Sequence, residues 1–363
     1  MKFDESGMLP SRRPGLNPHD PSTINSGLIS VIIPTFNRAQ LVPDAMDSVA
    51  RQTYPNIELL IVNDGSADDT RQVLDDWSAN RPAFALKIIE QKNAGASAAR
   101  NAGVAASSGE FIYFLDSDDL IYPEALQELV TLLCNESAPY VLANIWNADF
   151  DGNILYSEKS GISRQCSKNI FRNGWMTHAG LYRRNILHIS GLFNQALKVG
   201  EDSEFHWRLA ESVGPGVMLD KRIGLRRLHH FGHLSTNQSH AHSVRVIEAY
   251  TDWLEESGRK GKALSTPALG SIFALALRCG KDGEFALMGR ALDLFERLSR
   301  EGSLKNRITR SIGKHKSQAY FGILLAVAEK INLLRLFVLP PRDYWLTGFH
   351  ISQPVSSRTK LSQ

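Results

Sequence analysis

At 363 residues, with 43% hydrophobic and 22% charged side chains, the chain is too apolar for a disordered segment and long enough for one large domain beside a smaller one. Its net charge of +3 gives no ground for a nucleic-acid partner, but that charge is unevenly spread. Residues 245–363 hold 19 Lys and Arg against 11 Asp and Glu, a balance of +8, which leaves −5 to residues 1–244.

Residues 1–27 are polar and Pro-rich and read as a disordered lead-in, without an apolar core of signal-peptide length. From residue 28 the pattern alternates. LISVIIP (28–34) is a short, β-branched apolar run, and AQLVPDAMDSVARQ (39–52) has helical spacing. IELLIVN (57–63) repeats the strand signal, and SADDTRQVLDDWSAN (66–80) opens as a helix should, with Ser66 as its cap and acids in its first turn. FALKIIEQ (84–91) is a third strand, ASAARNAGVAASS (96–108) an Ala-rich helix, and EFIYFL (110–115) a fourth strand. Near-continuous apolar strands alternating with helices indicate an α/β domain whose parallel sheet is covered on both faces.

Ligands of such sheets bind beyond the carboxyl ends of the strands. Those ends read Pro34-Thr35-Phe36-Asn37-Arg38, Asn63-Asp64-Gly65-Ser66, Lys92-Asn93-Ala94-Gly95 and Asp116-Ser117-Asp118-Asp119. Three carboxylates within four positions repel one another unless something positive sits among them. A hard divalent cation takes anionic oxygen ligands, and sugar hydroxyls donate well to carboxylates, so these ends suit a metal and a ribose. Taken alone, the DSDD run and Asp64-Gly65-Ser66 would each be ordinary turns. NAGASAARNAG fits neither GxGxxG nor GxxxxGK[ST], which disfavours dinucleotide and P-loop readings. Arg100 within it is better explained by pairing with a nearby acid than by a phosphate contact.

Five segments in order resemble the family 2 glycosyltransferases: SVIIPTFNR, IVNDGSADDT, NAGASAARNAG, FLDSDD and GEDSEFHWRL. The resemblance implies the A-type glycosyltransferase fold, a Rossmann-like mixed sheet flanked by helices, over residues 28–240, with a helical region over 241–363. It also implies inverting transfer from a nucleotide-diphosphate sugar, of the uridine type that the family favours, to a hydroxyl of a saccharide acceptor. Pro34, Thr35, Phe36, Asp64 and Gly95 would line the nucleotide, with Asp116 and Ser117 toward the ribose. Asp118 would hold Mn2+ or Mg2+, with His229, or its neighbours His230 and His233, completing the metal or diphosphate site. Asp202 would be the general base, with Glu201 beside it. Asp119 is either part of this acidic group or the cap of the helix IYPEALQELV that follows. Trp175-Met176-Thr177-His178 falls where the family places acceptor-side residues, although packing is the simpler use of such side chains.

Two other activities compete with this reading. A nucleotidyltransferase would need a glycine-rich basic loop after the first strand, and PTFNRA has one Arg and no glycine. A non-catalytic nucleotide- or partner-binding module would have no use for a base at Asp202. Beyond residue 245 the segments VRVIEAYTDWLEES, TPALGSIFALALRCG, GEFALMGRALDLFERLSR and SQAYFGILLAVAEKINLLRLFVLPP all have helical apolar spacing. The basic segment 300–316 lies between the last two. It suits either a solvated face or a peripheral contact with an anionic membrane. No run of 18 uncharged apolar residues argues for a spanning helix. Cys134, Cys166 and Cys279 are odd in number and lack CxxC spacing, so neither a disulfide framework nor a zinc site is expected, and a reducing, cytoplasmic setting fits.

Overall fold

The computed structural model describes residues 24–81, 83–150, 152–157, 177–228, 239–257, 272, 275–280 and 282–298. The expected lead-in, apart from residues 24–27, therefore lies outside the described residues, as do the histidines at 229, 230 and 233, the basic segment 300–316 and the apolar segment after it.

Strands β1 (Asn25–Thr35), β2 (Ile57–Asn63), β3 (Leu86–Glu90) and β4 (Gly109–Phe114) alternate with helices α1 (Val42–Ala50), α2 (Thr70–Ala79) and α3 (Ala96–Ala106). β1 pairs in parallel with β2 and β4, and β2 with β3. The chain then adds β5 (Leu120–Ile121), α4 (Ala125–Asn135), β6 (Tyr140–Ala148), β7 (Ile154–Ser157), β8 (Gly180–Arg183), α5 (Arg184–Ser190), α6 (Glu201–Val213) and β9 (Val217–Arg227). The sheet order is β3-β2-β1-β4-β8-β6-β9-β5, with β7 on β6. β8 runs antiparallel to both β4 and β6, so the expected parallel sheet continues into a mixed one.

The period-two alternation of β1 and β2 sorts their side chains between two cores. Ile29, Val31, Ile33, Leu59 and Ile61 pack with α1, α2 and α4 on one face. Ile32, Leu60 and Val62 pack on the other with α3, α5, α6 and α7 (His240–Glu256). α3 lies so close to β1 that a Cβ on Gly103 would stand 2.3 Å from Ile32 Cγ2, which is why glycine is needed there. Past β9 the described elements are helical: α7, residues 275–280 and α8 (Phe285–Leu298).

Two capping expectations are corrected. Ser66 does not cap α2. Its hydroxyl accepts from Asn37 N at 2.9 Å, and the Thr70 N–H is met instead by Asp68 Oδ1 at 3.1 Å. Asp119 does not cap the following helix either, because α4 begins six residues later at Ala125 and Asp119 is buried elsewhere.

Candidate active site

The loops after β1 and β2 are laced together through backbone donors. Asn37, in the left-handed region at φ 52°, donates its N–H to Ser66 and accepts from Ala67 N at 2.8 Å through Oδ1. Asp64 is buried at the end of β2. Its Oδ1 accepts from Gln91 Nε2 at 2.7 Å and Ala94 N at 2.8 Å, and its Oδ2 from Gly95 N at 2.8 Å. The carboxylate thus sits at the positive end of α3, where the helix dipole favours it. Gly95, the residue before α3, has φ 93° and ψ 165°, a conformation nearly restricted to glycine. Above this cage Phe36 is 43% exposed, and Thr35 Oγ1 is buried without a hydrogen-bond partner.

The end of β4 answers what neutralises its three aspartates: arginines do much of it. Arg100 projects from α3, fully enclosed, with its guanidinium 5.1 Å from the Phe193 ring. Its Nη2 donates to Asp116 Oδ1 at 2.7 Å, while Nη1 lies 3.1 Å from Glu201 Oε1 and 3.5 Å from Asp202 Oδ1. Burial opposes its charge, but Asp116, Asp202 and Glu201 together hold its pKa above the ordinary range. Arg38 Nε lies 3.7 Å from Asp118 Oδ2. Arg227, at the end of β9, gives its N–H to Asp119 Oδ1 at 3.0 Å and its Nε to Asp118 O at 2.5 Å, and pairs with Asp44 Oδ2 at 2.7 Å. The DSDD loop is therefore pinned from three sides.

One member of the acidic group is buried more deeply than Asp116 and Asp118. Asp119 is buried, and burial together with Asp118 and Asp116 pushes its pKa well above the usual carboxylate value. His178, in the short 3-10 turn Thr177–Ala179 before β8, lies with Nδ1 3.3 Å from Asp119 Oδ2 and 3.9 Å from Asp116 Oδ2. Neither ring nitrogen makes a hydrogen bond of good geometry, and burial drops this imidazole to about 4, so it is neutral at physiological pH. A neutral imidazole with orphaned nitrogens beside two carboxylates is a donor set that fits a divalent cation, and the ligand atoms of Asp116, Asp119 and His178 all lie within 4.8 Å of one another.

Asp202 occupies the second position of α6, behind Gly200 in the left-handed conformation. Burial pushes its carboxyl up to about 8, with Glu201 and Asp116 adding to the rise and Arg100 and the Thr177 backbone opposing it. The side chain is 27% exposed, so water from the cleft still reaches it. α6 is held by the bidentate pair of Arg208 with Glu204 and by Arg208 Nη2 on Leu192 O at 2.7 Å.

Asp116, Asp119, Glu201 and Asp202 are thus brought together, while Asp118 turns to Arg38 and the residues around Asp64 lie at the neighbouring strand ends. His178, weighed above as packing, is both buried and part of the acidic group. Arg227 carried no signal beyond its place in RRLHH. Its contacts come from segments that are remote in sequence, one of them to Asp44 in α1, 183 positions away.

A mixed sheet with carboxylates gathered at its strand ends, followed by helices, defines the A-type glycosyltransferase class. Residues 30–189 match Glycosyl transferase family 2. The curated glycosyltransferase EpsJ of Bacillus subtilis is 29% identical over 55% of this chain and 61% of its own. Chondroitin synthase of Escherichia coli is 29% identical over 56% of this chain and 29% of its own. The chain thus spans less than two thirds of either relative. Among solved structures, S. aureus TarS 1–349 in complex with UDP-GlcNAc aligns with a TM-score of 0.62 at 18% identity, over 84% of this chain and 92% of that one. That likeness extends the shared fold into the C-terminal helices.

Proposed function

We propose that the protein is an inverting glycosyltransferase that moves a sugar from a uridine-diphosphate sugar to a hydroxyl of a glycan or lipid-linked saccharide, in the synthesis of a cell-surface polysaccharide. The observation that carries this reading is Arg100. One buried guanidinium reaches both Asp116, at the donor end of the sheet, and Asp202, on the helix that faces an acceptor. The chondroitin synthase name and the UDP-GlcNAc complex of TarS support the substrate class.

Phe36 offers an exposed ring for the base, over Pro34 and the unpartnered Thr35 hydroxyl. Asp64 retains acceptor capacity beyond its three bonds for a donor on the base, because an ionised carboxylate has about four lone-pair sites. Gly95 and Ser117 border the ribose and diphosphate. Asp116, Asp118, Asp119 and His178 are the side chains that would hold Mn2+ or Mg2+, with His229 a further candidate; the cation would offset the charge of the departing diphosphate. Ionised Asp202 takes the proton of the acceptor hydroxyl as its oxygen bonds to the anomeric carbon. The bond from that carbon to the diphosphate oxygen breaks on the opposite side, its electron pair leaves with the nucleotide, and the configuration inverts. The chain divides near residue 240 into a catalytic and a helical part and acts in the cytoplasm, and the basic segment 300–316 would supply the charge for a peripheral contact with an anionic membrane surface. No helix among the described residues is long and apolar enough to cross one.

A thermal-shift panel of nucleoside diphosphates with and without Mn2+ or Mg2+ tests the reading, because a ligand bound only by the folded state raises Tm. A metal-dependent shift with UDP above all others is expected. No shift with any nucleotide would point instead to a module that does not use a nucleotide sugar.

A further inference from the structure

The C-terminal helices hold a second group of metal-binding side chains, away from the strand ends. His240 stands in the first turn of α7, where Ser239 and the His242 side chain form a reciprocal cap that fixes the backbone. Cys279 lies in the helical residues 275–280, and Glu284 immediately precedes α8. The turn between these two is closed by Glu284 N on Cys279 O at 2.8 Å and Asp282 N on Arg278 O at 3.0 Å, with Gly283 at φ 81°. It presents the thiol and the carboxylate together toward His240. The ligand atoms of His240, Cys279 and Glu284 all lie within 4.8 Å of one another.

An ordinary imidazole–carboxylate pair accounts for His240 Nδ1 at 2.8 Å from Glu284 Oε2. It does not account for a fully buried thiol within reach of both, nor for His240 Nε2, which is buried without a hydrogen bond although Asp282 Oδ2 is 3.6 Å away. Thiolate, imidazole and carboxylate from three segments suit a borderline-soft cation, and the sulfur disfavours magnesium and calcium.

We propose that His240, Cys279 and Glu284 bind a zinc-class divalent cation that fastens the start of α7 to the turn before α8. Water or Asp282 fills the fourth position. The placement gives the site a structural purpose. A Cβ on Gly200, the residue before α6, would stand 2.6 Å from Val246 Cγ2, so α7 packs directly against the start of the helix that carries Asp202. Sequence spacing hides such a site because its ligands come from segments 39 and 44 residues apart in the chain, with no CxxC or HxxxH signature.

The test is a Co2+ titration of the full-length protein after chelation, read by the thiolate-to-cobalt charge-transfer absorbance, which a purely oxygen-and-nitrogen site at the aspartates does not produce. The band is expected in the wild type and in the Cys134→Ser/Cys166→Ser double variant, and should be absent in Cys279→Ser. His240→Gln and Glu284→Gln should weaken Co2+ by more than the about 10–100-fold typical of losing an outer-shell partner. A wild type without the band, or a Cys279→Ser variant that keeps it, overturns the proposal. If Cys279→Ser does not fold, an unchanged Co2+ affinity in His240→Gln does so instead.

Discussion

The two halves of the sheet hold their functional side chains differently. Around β1, β2 and β3 the site is fixed by backbone groups: Asp64 by the N–H groups of Ala94 and Gly95, and the Asn37 loop by Ser66 and Ala67. Around β8 and β9 and the helix α6, buried arginines take over: Arg100 among Asp116, Glu201 and Asp202, Arg208 on Glu204, and Arg227 on the DSDD loop. Backbone donors cannot be removed by a side-chain substitution, whereas buried ion pairs fail once one partner is removed. The β1–β3 half can therefore be rigid while the acidic group beside it stays electrostatically tuned.

The largest expected effect is that of breaking the junction. Arg100→Leu leaves its carboxylates without their cation. The loss is about 3–5 kcal/mol for fully buried pairs, and about 2–3 here because the three carboxylates are 14–32% exposed. Urea denaturation of the variant and the wild type at neutral pH measures it, and an unchanged midpoint would remove Arg100 from its central place.

Acid should weaken the arginine-held half next. His206 is fully buried on α6, 2.7 Å from Tyr182 Oη, and burial drops its pKa from 6.5 to about 4. The unfolded chain binds this proton first, so stability is lost as pH falls from 6.5 toward 4, and at pH 5 the loss is about 2 kcal/mol. Denaturation at pH 7 and pH 5 for the wild type and His206→Gln checks the sign. The variant should lose less over that interval, and an equal loss would place the acid sensitivity elsewhere.

The smallest stability effect is expected in the loop after β1. Phe36→Ala removes an exposed ring and should leave the unfolding free energy within about 0.5 kcal/mol of the wild type, while weakening UDP by about 1–3 kcal/mol if the base stacks there. Calorimetric titration of UDP separates the two, and undiminished affinity would move the base away from Phe36.

The parallel half was legible because both its faces are buried. Continuous apolar runs such as VIIP and LLIV then mark strands, and polar residues gather mostly toward their ends. The added half was not, because β5 is two residues long and β9 carries Asp220, Lys221 and Arg222 in its middle. Part of its pairing joins residues remote in sequence, such as Tyr182 on Ile112, 70 positions away. Within the site, the aspartates at 64, 116, 118, 119 and 202 stood out as motifs. The roles of Arg227 and His178 emerged only from packing, since an arginine after a strand and a histidine near a loop have many ordinary uses.

The most direct measurement of the central claim pairs turnover with donor binding in Asp202→Asn, which keeps the shape of the side chain and removes the base. Transfer from a UDP-sugar should fall by about 10²–10⁴-fold while the Kd for UDP with Mn2+ stays within about twofold of the wild type. Full turnover in Asp202→Asn would contradict the assignment of that carboxylate as the group that receives the acceptor's proton.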